Sequence, residues 1–216
     1  IPVTIAAAFF QNLRSAVQRH LKSELSDMGA ASVRFIYAWP FAVLGLVVTL
    51  SFGYALPEPT LAFGIWVIAG SIAQITFTFL LMWLFSLSNF TVGTALSKTE
   101  VIQVAILQVI LLQETISAFA TFAVLVATVG VLVMTAAKTR LSLGGLFSGF
   151  FQKSTAVGLA CGFFLGLSAV LFRGALVSLE GESVLVKSTY TLAVATVFQS
   201  IIMAIWLRRF QPGQIS

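Results

Sequence analysis

Two ionisable residues, Lys98 and Glu100, interrupt an otherwise apolar run at positions 90–112. Against lipid each charge would cost roughly 2.5–3.5 kcal/mol on insertion scales, so both must face protein, water or a counter-charge. Two residues apart is about 200° around a helix, so they point to opposite faces and do not pair with each other. Glu100 shares its face with Ser97, Gln103 and Leu107, and Lys98 shares its own with Thr94 and Ile102. Near the N-terminus, Gln11, Arg14 and Gln18 recur at helical spacing as one polar stripe, and Arg14 is the natural counterpart of Glu100. Arg14 and Lys98 would attract a carboxylate. Glu100 would bind an amine or carry a proton, because burial raises a carboxyl pKa. Gln11 and Gln103 would add amide hydrogen bonds. The set points to binding a zwitterion such as an amino acid. The plainer reading is a structural ion pair between helices, with Arg14 snorkelling to the interface.

Nothing in the chain points to catalysis, a cofactor or a metal. His20 is the single histidine and Cys161 the single cysteine, and no metal-ligand spacing, GxSxG or Walker loop occurs. Cys161 sits in an apolar run and reads as a small packing residue. The net charge of +5 would suggest nucleic acid in a soluble domain, but no basic run is long enough for a nucleic-acid patch.

The elements that must hold these residues are membrane helices. The chain is 59% hydrophobic and only 9% charged, with mean hydropathy +1.03, against about 25% charged in soluble domains. So few charges cannot give a globule a polar surface, and only helices or closed barrels satisfy their backbone in lipid. The apolar runs are continuous rather than alternating, so they read as helices. A span needs about 20 residues. Seven candidates fit, at 3–21, 31–52, 61–86, 90–112, 115–137, 155–178 and 184–207. Pro57-Glu58-Pro59 closes the second, and Pro40 inside it removes a backbone hydrogen bond and predicts a kink. Gln74, Thr76 and Thr78 read as interhelical glue. Gly158, Gly162 and Gly166, four apart, form a groove for close helix packing. Trp39, Trp66, Trp83 and Trp206 read as interface anchors and pore walls.

An internal repeat organises the spans. Phe9-Phe10-x-x-Leu13-x5-Arg19 recurs as Phe163-Phe164-x-x-Leu167-x5-Arg173, and Val33-Arg34-x-x-Tyr37 recurs as Val186-Lys187-x-x-Tyr190. An odd number of spans separates the copies, so the second must run upside down, as in many secondary transporters. The repeats divide the chain into 1–137 with five spans, a loop at 138–154, and 155–216 with two. Lys138, Arg140 and Lys153 fall on the side of His20, Lys22, Arg208 and Arg209. Glu58, Glu114, Glu180 and Glu182, against Arg173 and Lys187, fall on the other, which positive-inside reasoning places outside together with the N-terminus. The start lacks a basic n-region and does not look like a signal peptide, so a trimmed N-terminus is expected.

The stretch "SLSNFTVGTALSKTEVIQVAILQVILLQETIS" followed by "VLVATVGVLVMT" resembles the EamA family of the drug/metabolite transporter superfamily. Lys98-Thr99-Glu100-Val101 stands at the family's Thr-x-Pro step, Gln113-Glu114 at its Gly-Glu and Gly130-Val131 at its closing Gly-Val, and Arg34 at the head of span 2 also fits. Val101 replaces the frequent proline, Gln113 replaces the glycine, and Lys98 and Glu100 add charge, so no specific substrate carries over. The resemblance implies an all-α integral membrane protein of ten helices in two inverted five-helix repeats. It also implies alternating access around a central small-molecule substrate, no enzymatic activity, and a multi-pass place in a bacterial inner membrane. It implies a cytoplasmic N-terminus, against the loop charges. Three further spans are expected beyond Ser216, with a homodimer completing the second half as the alternative. The rival readings are a seven-helix receptor or retinal protein, and a scaffold subunit without transport. Against the first, Lys187 lies at the start of span 7 and no Asp lies within the seven spans.

Overall fold

A computed structural model describes residues 5–6, 9–10, 13, 17, 27–87, 99–139, 153–181 and 183–210. Among these, all regular structure is helical: α1 (Asp27–Ile36), α2 (Trp39–Ser51), α3 (Leu61–Ser86), α4 (Glu100–Leu112), α5 (Ala118–Thr139), α6 (Lys153–Val177) and α7 (Val184–Phe210). Four described helices are long and apolar enough to cross a bilayer: the joined span Ala31–Ser51, α3, α6 and α7. They mark a multi-pass membrane protein. α4 and Ala118–Gly130 of α5 are apolar but shorter. Residues 5, 6, 9, 10, 13 and 17 of the first expected span are helical, and the start of the fourth, 90–98, lies outside the described residues.

The second expected span is not one helix. α1 stops at Ile36 and α2 starts at Trp39, with a turn at Tyr37-Ala38. Pro40 explains the position. Its ring clashes with the carbonyl four residues back, that of Ile36, and it offers no N–H to it. The Phe35 carbonyl, which keeps only a long 3.4 Å bond from Ala38 N–H, receives the Ser200 hydroxyl of α7 at 2.6 Å. A neighbouring hydroxyl thus takes up a backbone group that the break has loosened.

Contacts at both ends fix the directions. Thr60 caps α3, its Oγ1 accepting from Phe63 N–H at 3.0 Å and donating to the Ser178 carbonyl beyond α6 at 3.3 Å. At the other end, the Lys153 ammonium lies 5.0 Å from the centre of the Trp83 ring. α3 and α6 are therefore antiparallel, and they form the most extensive helix pair. Two glycines allow their close approach. A Cβ on Gly174 would lie 2.8 Å from the Trp66 ring, and one on Gly70 would lie 3.1 Å from Phe172. Trp66 fills the α3–α6 contact beside the core of Phe63, Val67, Ala175, Leu179 and Ala195. The Phe63 and Tyr190 rings stack at 5.3 Å, and Gln74 meets Gln199, so α7 runs parallel to α3. The joined α1–α2 span runs antiparallel to both, with Ala31 packed beside Met82.

Gly158, Gly162 and Gly166 are all buried on α6. At Gly166 a Cβ would come within 3.0 Å of the Val104 side chain and 3.4 Å of its backbone nitrogen, so α4 approaches α6 closely there. Cys161 is buried on the same helix facing α3, its Sγ 4.0 Å from the Phe77 carbonyl.

Candidate functional site

Among the described residues, most hydroxyls on the helices are satisfied by their own helix, and Ser71 and Ser154 are buried without a partner. Thr76 donates to the Ile72 carbonyl, Thr128 to that of Val124 and Thr191 to that of Lys187, each four residues back. This is the usual resolution for a hydroxyl in lipid. Other polar side chains reach between helices where α1, α3 and α7 meet. The Gln199 amide, 1% exposed, donates to Gln74 Oε1 at 2.7 Å, joining α7 to α3. One turn further along α3, the Arg34 guanidinium of α1 donates to Thr78 Oγ1 at 3.1 Å, and the fully buried Thr78 hydroxyl donates back to the Gln74 carbonyl. The guanidinium also lies 5.3 Å from the centre of the Phe35 ring. The seam of Arg34, Thr78, Gln74 and Gln199 thus ties three helices by side-chain hydrogen bonds.

Two cavities flank that seam. One, of about 560 Å³, lies under the α1–α2 break and is bounded by Val33, Arg34, Tyr37 and Ala38, with Phe10, Leu13 and Val17 on another side. The second, of about 210 Å³, lies towards Phe172 and Leu176 of α6 and Ser188 and Thr191 of α7. Gln74, Leu192, Thr196 and Gln199 line both. The larger is of a size that suits a small molecule held by a few polar groups on apolar walls.

Only part of the polar set expected from sequence falls within the described residues. Gln11, Arg14 and Lys98 lie outside them. Glu100 begins α4 and lines a separate cavity of about 590 Å³ with Gln108, Glu114, Thr115, Ser117 and Arg173. Gln103 donates its amide to Thr99 Oγ1 at 3.1 Å, and its Oε1 is buried without a hydrogen-bond partner. Neither Glu100 nor Gln103 lines the cavities beside Gln74 and Gln199.

At the mouth of the Glu100 cavity, Glu114 and Arg173 form a two-pronged ion pair, Nε to Oε1 and Nη2 to Oε2, both at 3.0 Å. Gln113, with φ +52°, turns the chain out of α4 in the left-handed region and delivers Glu114 to α6. Hydrogen bonds from Gln108 and then Arg173 hold the Glu114 carboxyl below its ordinary value of 4.5.

In the sequence Gln74 and Thr78 read as glue, Arg34 stands out in the internal repeat and as a family-like position, and Gln199 does not stand out. A signal was present: Gln199 is an amide near the middle of an apolar span, the same anomaly that singled out Gln103. What the letters could not show is that Gln74 and Gln199, 125 residues apart, meet. No protein-family model, curated protein or solved structure matches the chain.

Proposed function

We propose that this chain is a membrane transporter of small polar metabolites, amino acids and related zwitterions among them, working by alternating access. One observation carries the reading: the polar seam of Arg34, Thr78, Gln74 and Gln199 between helices, with Thr78 and Gln199 buried and a cavity on each side. Polar groups inside a membrane are costly, and they mark substrate pathways more often than they are kept idle. Two further features support it. α7 runs opposite to the α1–α2 span, the relation an inverted repeat needs, and the EamA-like order of motifs in 86–135 implies a substrate held between two such halves. The α1–α2 break beside the larger cavity supplies a candidate hinge.

The test is flux. The complete gene product, reconstituted in proteoliposomes, should take up or exchange at least one labelled member of a panel of amino acids, monocarboxylates and amines. The flux should saturate and exceed that of protein-free vesicles. Folded protein with no flux across the panel would favour a scaffold subunit. A visible absorption band that appears with added retinal would favour the seven-helix reading.

A further inference from the structure

We infer that the smaller cavity, between α3, α6 and α7, binds a neutral primary amide carried on a short unbranched apolar chain. This deepens the transport proposal for one of its two cavities, and it rests on that proposal for the cavity's role as a substrate site. The glutamine pair decides the head group. A single bond joins the two side chains, from the Gln199 amide to Gln74 Oε1. It leaves the Gln199 carbonyl oxygen and the Gln74 amide hydrogens without a hydrogen bond. Among the described residues, the sealed polar atoms that lack a partner belong to Ser71, Gln103 and Ser154. The open groups of the pair are therefore not shut in by packing; they face the cavities that both glutamines line. Exchanging nitrogen and oxygen in both amides leaves the same count, one donor and one acceptor. A carboxylate offers that acceptor no hydrogen, and an ammonium offers that donor no lone pair. A primary amide supplies both, on two neighbouring atoms, as the glutamines do.

The walls decide the body. The lining of the smaller cavity follows α7 from Ser188 to Gln199, roughly 16 Å of helix rise. About 210 Å³ spread along that length is narrow, so it takes an extended chain more readily than a ring. A cavity of about 150 Å³ holds benzene, so this one has room for roughly eight heavy atoms. Phe172 and Leu176 of α6 and Leu192 of α7 give it apolar sides for the chain. The Thr191 and Thr196 hydroxyls donate to their own helix, so the pair remains the wall's amide-matching feature.

The experiment measures binding to the full chain in phosphatidylcholine nanodiscs by calorimetry, with hexanamide, 2-heptanone and hexanoate as probes. They share one shape; only hexanamide both donates and accepts. Hexanamide should bind saturably, 2-heptanone about threefold to tenfold more weakly for the lost hydrogen bond, and hexanoate at least about tenfold more weakly for its buried charge. Gln199→Leu should bring hexanamide down to the level of 2-heptanone. Should Gln199→Leu fail to fold, Leu176→Trp fills the smaller cavity from α6, lines no part of the larger one, and should abolish hexanamide binding. Equal binding of 2-heptanone or hexanoate and hexanamide, or hexanamide binding unchanged by Gln199→Leu or Leu176→Trp, would overturn the inference. Hexanamide binding without flux of hexanamide or of any panel member would remove the transport proposal and leave this one standing. Flux of panel members without hexanamide binding would do the reverse.

Discussion

Gln74 and Gln199 are worth more as a pair than either is alone. Gln74→Leu leaves the buried Gln199 amide without its acceptor, and an unpaired buried group costs more than the bond it lost. In a membrane such pairs couple by about 0.6 kcal/mol on average and up to about 1.7. The two single Leu variants and the double should therefore form a cycle with favourable coupling in that range, read from thermal unfolding in one detergent. Additive variants would mean that the bond contributes nothing. Glu114 makes a prediction of a different kind. Its carboxyl titrates below the ordinary value of 4.5, so the folded state prefers it charged. The stabilisation is full above that ordinary value and fades as pH falls through the lower folded one. Glu114 and Arg173 are 31% and 54% exposed, so solvent screens the pair and the effect will be small. The melting-temperature gap between wild type and Glu114→Gln should be widest near about pH 6 and close towards about pH 3. A gap independent of pH would show that the charge does not matter.

Glycine is where the helices meet, and the sequence located only part of that. The four-residue spacing pointed to Gly158, Gly162 and Gly166, all buried on α6. It stopped short of Gly174, two steps further along the same spacing, because Val170 interrupts the run. Gly174→Ala would place a methyl group 2.8 Å from the Trp66 ring and should cost about 1–3 kcal/mol. Gly64→Ala, with nothing within 4 Å, should be neutral or slightly stabilising, since alanine suits a helix better. Unfolding of the two variants side by side checks the contrast, and equal behaviour would mean that α3 and α6 are not held as described. The kink offers a second test at this scale. Pro40 announced a break in sequence, but its brace, the Ser200 hydroxyl on the Phe35 carbonyl, comes from a helix 165 residues away. Ser200→Ala should destabilise by about 0.5–1.5 kcal/mol, measured by unfolding, with Ser51→Ala as an exposed control of similar helical bonding.

The directions of the helices make the arrangement checkable as a whole. Ser178 lies with Thr60 and the Glu114–Arg173 pair at one end of the bundle, and Lys153 with Trp83 at the other. The single native cysteine, Cys161, is buried, so it leaves a quiet background for labelling. Single cysteines placed at Ser178 and Lys153 should react with an impermeant maleimide from opposite faces of sealed vesicles. Labelling of both from one face would rule out α6 as a span.

Composition alone settled that the chain lives in lipid, because so few charges cannot clothe a globule and a continuous apolar run can satisfy its backbone only as helix. The spans at 61–86, 155–178 and 184–207 were legible within a few residues for the same reason, as α3, α6 and α7 show. Pro40 told where a helix must break, since a missing N–H and a ring clash are local effects. Which residues form the seam was not legible. An amide in an apolar span announces that it needs a partner, but the partner is chosen by how helices cross, and that depends on where glycines let backbones approach. Glu100 and Gln103 drew attention as chemical anomalies on one helix. The packing of α3 against α6 and α7 brought Gln74, Gln199, Thr78 and Arg34 together instead, and set Glu100 in another cavity. The sequence by itself determined the medium, the helices and the break; only the tertiary structure decided which polar groups share a space, because interhelical contact is a property of two surfaces and neither is written in the other's letters.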